Sequence, residues 1–265
     1  MNNHYDIHTF AIGDVHGRAD LLETMLGHIA FHVSDEGIRH RIVFLGDIID
    51  KGPDSRRAME LVIKTVADVP GSKLVLGNHD ALPLEILDEA DPGRAKMRLD
   101  HWVRNQGGDA TLSSYGIDYH RLTPSKLRDR LDPKLVAFLR NAEPYVELEH
   151  HLLVHGGLRP GIPLDQQNRR EIMWIREPFL SFLGSFGKTV VHGHTPTDSG
   201  RPEQFGSRLC IDTGAYSSGN LTVAHIAPDG AVDLMWTKAM ASTEVETVVA
   251  LVDGGISSER SKILE

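Results

Sequence analysis

The sequence has few of the features that mark secreted, disulfide-stabilised or membrane-spanning proteins. Its 265 residues include one cysteine, Cys210, which cannot form an internal disulfide and lies in an apolar run typical of a core. No apolar run is long enough to span a bilayer, and the N-terminus MNNHYDIHTF lacks the basic start and apolar stretch of a signal peptide. We therefore expect a cytoplasmic protein with no membrane partner.

Positive charge is also scarce in this chain. Lysine and arginine number 28 against 37 aspartates and glutamates, which gives a formal net charge of -9. Proteins that coat nucleic acid neutralise its phosphates with clustered basic residues, so nucleic acid is not an expected partner. An anionic substrate would therefore have to be attracted by a local positive site.

The central feature of the sequence is the segment VFLGDIIDKGPDS, residues 43–55. An apolar strand-like run, residues 41–45, stops at Gly46 and is followed by Asp47 and Asp50. In open α/β sheets, ligands bind in the crevice beyond the carboxyl ends of the strands. Asp, Gly and Pro are also common in turns for backbone reasons, so this segment alone predicts only a turn.

The same pattern recurs along the chain. Four further apolar runs, each followed within a few residues by Asp, Asn or His, lie at Thr9–Ile12 before GDVHGR, Lys73–Leu76 before GNHD, Leu152–Val154 before HGGL, and Thr189–Val191 before HGHTP. Each has a glycine where the backbone must turn tightly. Five strands are thus predicted to converge on one polar cluster.

The spacing of apolar residues predicts an α/β fold. Segments 19–31 and 55–68 have helical periodicity, which indicates a βαβαβ unit with parallel strands. Residues about 91–143 favour a helical insertion, and 171–182 favour helix or irregular structure. The predicted strands of the second half are Tyr145–Leu148, His151–Val154, Thr189–Val191, Leu209–Ile211, Leu221–Ile226 and Val232–Trp236.

These elements predict two packed mixed β-sheets flanked by helices, an α/β/β/α sandwich. We expect a single domain over residues 1–265, with a tail from about 238 to 265 whose last residues are mobile. The segment Trp102–Gly116 either shapes access to the crevice or forms a packing layer.

Five motifs in order, GDVHGR, GDIIDKGPDS, GNHD, VHGGL and GHTP, together resemble the calcineurin-like metallophosphoesterases. The nearest branch is the phosphoprotein phosphatases in their small bacterial and phage form, and the resemblance covers Phe10 to about Ile226. It implies two divalent metal ions, most often Mn²⁺, with iron or zinc as alternatives, because the donors are oxygen and nitrogen without thiolate. The ligands that it implies are Asp14 and His16 for the first ion, Asn78, His155 and His194 for the second, and Asp47 as the bridge.

The resemblance also implies catalytic and phosphate-binding roles. His79 would protonate the leaving group and Asp50 would hold its ring. Lys51, Arg176 and Asn78 would bind the substrate phosphate. The family usually has arginine where this chain has Lys51, and lysine lacks the planar bidentate fork.

Several other residues near the motifs have more than one interpretation. His192 is interpreted as a core residue or a neighbour of the ligands, and Asp212–Gly214 as a turn at the rim of the cluster. Tyr216 would cover the phosphate or belong to the core. Arg18 is predicted to anchor a loop by a salt bridge.

The implied function is a metal-dependent phosphomonoesterase for phosphoserine and phosphothreonine, with phosphotyrosine and small aryl phosphates as further substrates. The resemblance implies in-line attack by a hydroxide that the two ions share. A symmetrical dinucleoside-polyphosphate hydrolase is an alternative, as is a non-catalytic phosphate-binding scaffold. The expected partners are a phosphorylated protein or a small phosphate ester, and the expected state is a monomer or weak oligomer.

Overall fold

The computed structural model describes residues 6–238, 241–248, 251–252 and 255–256. The strands in this part of the chain are β1 (Ile7–Ile12), β2 (Arg39–Phe44), β3 (Lys73–Leu74), β4 (Tyr145–Glu147), β5 (His151–Val154), β6 (Thr189–His192), β7 (Glu203–Phe205), β8 (Arg208–Cys210), β9 (Thr222–Ile226), β10 (Val232–Lys238), β11 (Ala241–Val248), β12 (Leu251–Val252) and β13 (Gly255–Ile256). The helices are α1 (Ala19–Glu36), α2 (Ser55–Asp68), α3 (Asn78–Asp88), α4 (Pro92–Asn105), α5 (Gly108–Ser114), α6 (Pro124–Arg130), α7 (Pro133–Arg140), α8 (Glu171–Trp174) and α9 (Ala215–Ser218), with a 3₁₀ turn at Leu164–Gln166.

Two mixed sheets form the centre of the molecule. Among the described residues, one sheet has six strands in the order β11-β10-β9-β1-β2-β3, and the other has five in the order β4-β5-β6-β8-β7. Strands β1, β2 and β3 are mutually parallel, as are β5, β6 and β8. The predicted sandwich of two mixed sheets with flanking helices is confirmed.

Alternation along the strands separates the apolar layers. Phe10 and Ile12 of β1 face the helices, whereas Ala11 between them faces the second sheet. The layer between the sheets also contains Leu153 of β5 and Val191 of β6. A third cluster covers the outer face of the second sheet. The two sheets therefore pack face to face around an apolar core.

Helix ends follow local capping rules. The side chains of Asp54, Asp91, Thr123 and Asp132 accept hydrogen bonds from backbone N–H groups in the first turns of α2, α4, α6 and α7. Helix α1 ends at Glu36 and is followed by Gly37, whose left-handed φ of 64° caps the helix. The described part of the chain contains four helices, α4 to α7, within the segment at about 91–143 that was predicted to be a helical insertion.

The sequence prediction missed some elements. Helix α3 was not predicted, because its polar start and Pro83 hide the apolar period. Strand β3 ends at Leu74 rather than Leu76, since Val75 and Leu76 pair with Glu143 instead. Strand β7 was also missed, and segment 171–182 is helical only in α8.

The predicted tail from about 238 begins with β-structure. It contains β11, which pairs with β10, and a short hairpin of β12 and β13. The last nine residues, 257–265, which were predicted to be mobile, lie outside the described residues. None of the helices in the described part is both long and apolar enough to cross a membrane.

Candidate metal centre

The carboxyl ends of the parallel strands bring the sequence motifs together. Two groups of three side chains could each hold a metal ion, because their potential ligand atoms lie within 4.8 Å of one another. The first group is His16, Asp47 and His79, and the second is Asp47, His155 and His194. These residues follow β1, β2, β3, β5 and β6. Asp47 belongs to both groups, which makes it the centre of the site.

The two carboxylate oxygens of Asp47 face different partners. Oδ1 lies 3.3 Å from Nε2 of His155 and accepts a hydrogen bond of 2.9 Å from the backbone N–H of His79. Oδ2 lies 3.5 Å from Nε2 of His16. One carboxylate oxygen is therefore available to each side of the site, which is the geometry needed to bridge two neighbouring cations.

Asn78 extends the second group, and Asp14, which was predicted to hold the first ion with His16, lies beside His194 of that group. The Oδ1 atom of Asn78 lies 2.9 Å from Nε2 of His155 and 2.8 Å from Nδ1 of His194. The backbone N–H of His194 donates to both oxygens of Asp14, at 3.3 and 3.1 Å. All six predicted ligands are at least nine-tenths buried.

Backbone carbonyls orient the imidazoles. Nδ1 of His16 lies 2.8 Å from the carbonyl oxygen of Ile49, and Nδ1 of His155 lies 2.7 Å from that of Leu45. Each Nδ1 must carry the proton to donate to a carbonyl, so each neutral ring presents the Nε2 lone pair to the site. This arrangement is typical of histidines that bind metal ions.

The donor set fits a pair of divalent cations. The lone pair of His155 points at the acceptor oxygens of Asn78 and Asp47, a contact that is repulsive unless a proton or a metal ion lies between them. Asp14 is 2% exposed and forms no ion pair with a basic side chain in the described part of the chain. A buried carboxylate without a cationic partner is costly, and a bound cation removes that cost.

The pKa shifts reflect the same excess of buried charge. Burial raises the pKa of Asp14 well above its ordinary value, and nearby Asp212 raises it further. Burial would also raise the pKa of Asp47, but His155 and His79 hold it well below its usual range. Burial would lower the pKa of His155, whereas Asp47 and Asp14 raise it to about 10. The metal-free site retains protons that a cation would replace.

Strained backbone conformations coincide with the site. The described non-glycine residues with left-handed φ are His16, Asp47, Asp50, Lys51 and His194, with φ between 44° and 74°. Such conformations are unfavourable for residues with a Cβ and persist where the surrounding structure enforces them. All five were predicted site residues.

His79 and Asp50, which were predicted to protonate the leaving group and to hold the ring, lie in hydrogen-bond contact. Nδ1 of His79 lies 2.7 Å from Oδ2 of Asp50, and its Nε2 lies 3.9 Å from Asp47. Asp50 is fully buried, and its carboxylate also accepts hydrogen bonds from Trp102 and Thr111 of the helical insertion. The insertion therefore reaches the site through Asp50.

Two cationic side chains lie at the mouth of the site. Arg176 is exposed and makes no side-chain hydrogen bond or ion pair within the described residues. Burial, and then His155, lowers the pKa of His194, and Arg176 lowers it further, to about 3. Nζ of Lys51 lies 3.0 Å from Nε2 of His16 and 4.7 Å above the ring of Tyr216. In this position the Lys51 ammonium occupies the side of His16 at which a metal ion would use the Nε2 lone pair.

The structure separates the residues that the sequence left with more than one interpretation. His192 is fully buried against Phe179 and lies outside both ligand groups. Tyr216 is 40% exposed and beside His16, so it is not a core residue. Arg18 pairs with Asp20 and donates to the carbonyl of Ala215, which anchors the loop as predicted.

Sequence reasoning missed two carboxylates. Asp212 was predicted to lie at the rim, but it is 2% exposed, and burial raises its pKa to about 6. Asp80 was assigned no role, although it is fully buried behind Asp47 and accepts a 3.0 Å hydrogen bond from the Ile48 N–H. Its place as the last residue of the GNHD motif was the available signal.

The motif order, the shared Asp47 and the sandwich fold agree with an independent family comparison. The model of the family described as calcineurin-like phosphoesterase matches residues 7–235. The chain belongs to this family. Calcineurin-like phosphoesterases use divalent metal ions, and the two ligand groups are the candidate place for them here.

Two proteins that are similar to this chain have different activities in their names. Serine/threonine-protein phosphatase 1 of Salmonella typhimurium is 27% identical to this chain over 229 residues, covering 83% of this chain and 92% of that protein. A symmetrical bis(5'-nucleosyl)-tetraphosphatase of Dechloromonas aromatica is 32% identical over 154 residues, covering 57% of this chain and 44% of that protein.

A solved structure of a cold-active protein tyrosine phosphatase superimposes with a TM-score of 0.57 and 19% identity, covering 92% of this chain and 80% of that chain. At this identity the likeness concerns the fold alone. The family and the enzymatic class, a metallophosphoesterase, follow from the comparisons, whereas the substrate does not.

Proposed function

We propose that this metallophosphoesterase is a phosphomonoesterase that hydrolyses phosphoserine and phosphothreonine, and also phosphotyrosine or small aryl phosphates. The observation that carries the proposal is the bridging position of Asp47 between two histidine groups, next to the His79–Asp50 pair. The family membership and the bacterial phosphatase relative support it.

In this proposal Asp14 and His16 hold a first divalent ion, and Asn78, His155 and His194 hold a second, with Asp47 shared. When bound, such ions neutralise phosphate charge and lower the pKa of water toward neutrality, which supplies a nucleophile. We infer Mn²⁺ as the preferred metal because the donors are carboxylate, amide and imidazole. The net charge of -9 makes this local positive field necessary for attracting an anion.

The protein's own residues would then act on the substrate. Arg176 and Lys51 would bind the phosphate oxygens, because both cations are exposed at the mouth of the site. His79 would donate its proton to the leaving oxygen, with its Nδ1–H held by Asp50 so that Nε2 faces the site. Asn78 would contribute both to the ion and to the phosphate.

A symmetrical dinucleoside-polyphosphate hydrolase is the second candidate, supported by the relative with that activity in its name. The two functions differ in the bond broken, a phosphate monoester or a phosphoanhydride. A non-catalytic phosphate-binding scaffold is the third, and it is disfavoured because all six predicted ligands and the His79–Asp50 pair are present.

A substrate panel tests the proposal. Metal-stripped and Mn²⁺-loaded protein should be assayed with phosphoserine, phosphothreonine and phosphotyrosine peptides, p-nitrophenyl phosphate and diadenosine tetraphosphate. We expect Mn²⁺-dependent hydrolysis of the monoesters, with the dinucleotide cleaved much more slowly. Preference for the dinucleotide would support the second candidate. Metal binding without turnover, or equal rates with and without metal, would contradict the assignment.

A further inference from the structure

Two side chains of the helical insertion contact Asp50, the carboxylate that holds the ring of the candidate acid His79. The indole Nε1–H of Trp102, on α4, donates to both oxygens of Asp50, at 3.0 and 2.9 Å. The hydroxyl of Thr111, on α5, donates to Oδ1 at 2.6 Å. Oδ2 of Asp50 is the atom that holds Nδ1 of His79. The carboxylate is therefore fixed from two sides and presents its remaining lone pairs to His79.

The Thr111 hydroxyl also holds the backbone of Asp50, together with the Ser55 hydroxyl. The Asp50 N–H donates to Oγ1 of Thr111 at 2.9 Å and to Oγ of Ser55 at 3.0 Å. Asp50 has a φ of 74°, so these hydrogen bonds help to hold an unfavourable backbone conformation. One threonine hydroxyl thus restrains both the main chain and the side chain of Asp50.

The insertion is shaped to place the indole nitrogen at this carboxylate. Trp102 is fully buried, and a Cβ on Gly108 would lie 2.7 Å from its ring, so only glycine leaves room for it there. The backbone N–H of Lys51 also donates to the carbonyl of Gly107 at 3.3 Å. An apolar packing layer alone would need neither the indole N–H nor the threonine hydroxyl at Asp50.

We propose that Trp102 and Thr111 are positioning residues that fix the Asp50 carboxylate and, through it, the ring of His79. The expected effect on turnover rests on the proposed function. The structural part of the proposal concerns only the hydrogen bond between Asp50 and His79. The proposal gives the helical insertion a role in transition-state protonation of the leaving group rather than in packing alone.

The kinetic test compares leaving groups of different basicity. Phenolate needs protonation as it leaves, whereas p-nitrophenolate leaves without it. We expect Trp102→Phe to lower kcat for phenyl phosphate by about 10-fold or more and kcat for p-nitrophenyl phosphate by less than about 3-fold. Equal losses on both substrates would overturn the proposal, since a general loss of packing does not distinguish the leaving groups.

Matched variants separate positioning from folding. Thr111→Val removes the hydroxyl at nearly constant volume and should show the same selective loss on phenyl phosphate. Thr111→Ser keeps the hydroxyl and should behave like the natural protein on both substrates. Trp236→Phe trims a buried tryptophan in the core between the sheets and should affect both substrates equally or not at all. Leaving-group dependence in Trp236→Phe would contradict the assignment.

A spectroscopic measurement tests the structural part without catalysis. In metal-free protein, the downfield Nδ1–H proton resonance of His79 can be assigned by its loss in His79→Asn. We expect Trp102→Phe and Thr111→Val to weaken or remove this resonance, and Trp236→Phe to leave it in place. An unchanged resonance in both insertion variants would overturn the proposal. If no substrate is turned over, the phosphatase assignment fails while this measurement still decides the positioning role.

Discussion

Asp47 illustrates how much of the site depends on single side chains. It is 2% exposed, each of its oxygens faces a different histidine, and its Oδ1 accepts the His79 N–H at the start of α3. The partial positive charge of a helix N-terminus favours an anion at this position. His79 lies in the same group as His16 and Asp47, but its Nδ1 is held by the Asp50 carboxylate, whereas Nδ1 of His16 and of His155 faces a backbone carbonyl. This difference favours a proton donor at His79 and ligands at the other two histidines.

The distinction between ligand and proton donor predicts different outcomes for two conservative changes. Asp47→Asn keeps the shape but removes the charge shared by both ions, so we expect loss of bound metal and of activity. His79→Asn should retain the metal and lower kcat by about 10²- to 10³-fold. Metal content by elemental analysis, measured beside kcat, checks both. Metal loss in His79→Asn would make His79 a ligand instead of the proton donor.

Lys51 is the residue that departs from the family pattern. Its ammonium lies against His16 and Tyr216, and it can offer phosphate only a point charge. Lys51→Arg supplies a planar fork, so we expect KM for p-nitrophenyl phosphate to fall about 3- to 10-fold, which corresponds to the ~1 kcal/mol of one added hydrogen bond.

The control for this prediction is Lys51→Met, which keeps the length of the chain but removes the charge. We expect it to raise KM for the same substrate. An unchanged or higher KM in Lys51→Arg, or an unchanged KM in Lys51→Met, would show that Lys51 does not bind the phosphate.

At the scale of elements, the site depends on how closely two strand-to-helix loops approach each other. A Cβ on Gly77 would lie 2.2 Å from the backbone nitrogen of Asp47, and one on Gly46 would lie 2.4 Å from the nitrogen of Gly77. These glycines follow β2 and β3. Their contact sets the separation of Asp47 and Asn78, which serve the same ion in the proposal.

Gly77→Ala therefore tests the loop contact. The φ of Gly77 is -86°, which alanine adopts without strain, so the added methyl acts only by pushing the loops apart. We expect loss of at least one bound metal ion with the fold retained, measured by metal content and circular dichroism. Gly27→Ala is the matched control, because nothing lies within 4 Å of its Cβ and it should be neutral or slightly stabilising. Full metal content in Gly77→Ala would contradict this account.

At the scale of the whole molecule, neutral buried histidines outside the site link folding to pH. His225 of β9 stacks between Phe10 and His8, with ring centroids 4.5 and 5.0 Å away. Burial, followed by the nearby His8 and His32, lowers the pKa of His225 from 6.5 to about 4. Burial likewise lowers the pKa of His151 to about 4.

These shifts fix the sign of a pH dependence. The unfolded chain binds protons near pH 6.5 and the folded one only near pH 4, so the unfolded state holds more protons between these values. The contribution of His225 to the free energy of unfolding is full above pH 6.5 and is lost as the pH falls toward 4. Denaturant unfolding of metal-free protein at about pH 5 and about pH 7.5 measures it.

His225→Phe is the control that isolates this contribution. Titrating groups that do not interact with His225 behave alike in both proteins, so their contributions cancel in the difference between the two unfolding curves. The coupling of His225 to His8 and His32 is removed together with His225. We expect the variant to lose less stability on acidification than the natural chain. An equal loss in both proteins would place the pH dependence elsewhere.

The sequence by itself determined most of the strands, the two crossover helices and the identity of the motifs that carry the candidate ligands. Local rules suffice for these, because β-branched runs, glycine turns and helical periodicity act over a few residues. The positions of Asp14, Asp47, Asn78, His155 and His194 after their strands could therefore be predicted. Their convergence followed from the rule that ligands bind at the carboxyl ends of parallel strands.

Only the tertiary structure decided which distant side chains support those motifs. Trp102 and Thr111 lie 52 and 61 residues from Asp50, and Asp212 reaches the site from beyond β8. Nothing in their local sequence indicates a carboxylate partner, since a hydrogen bond between remote segments depends on how the layers pack. The shared position of Asp47 is likewise a property of five strands held side by side, and no single segment contains it.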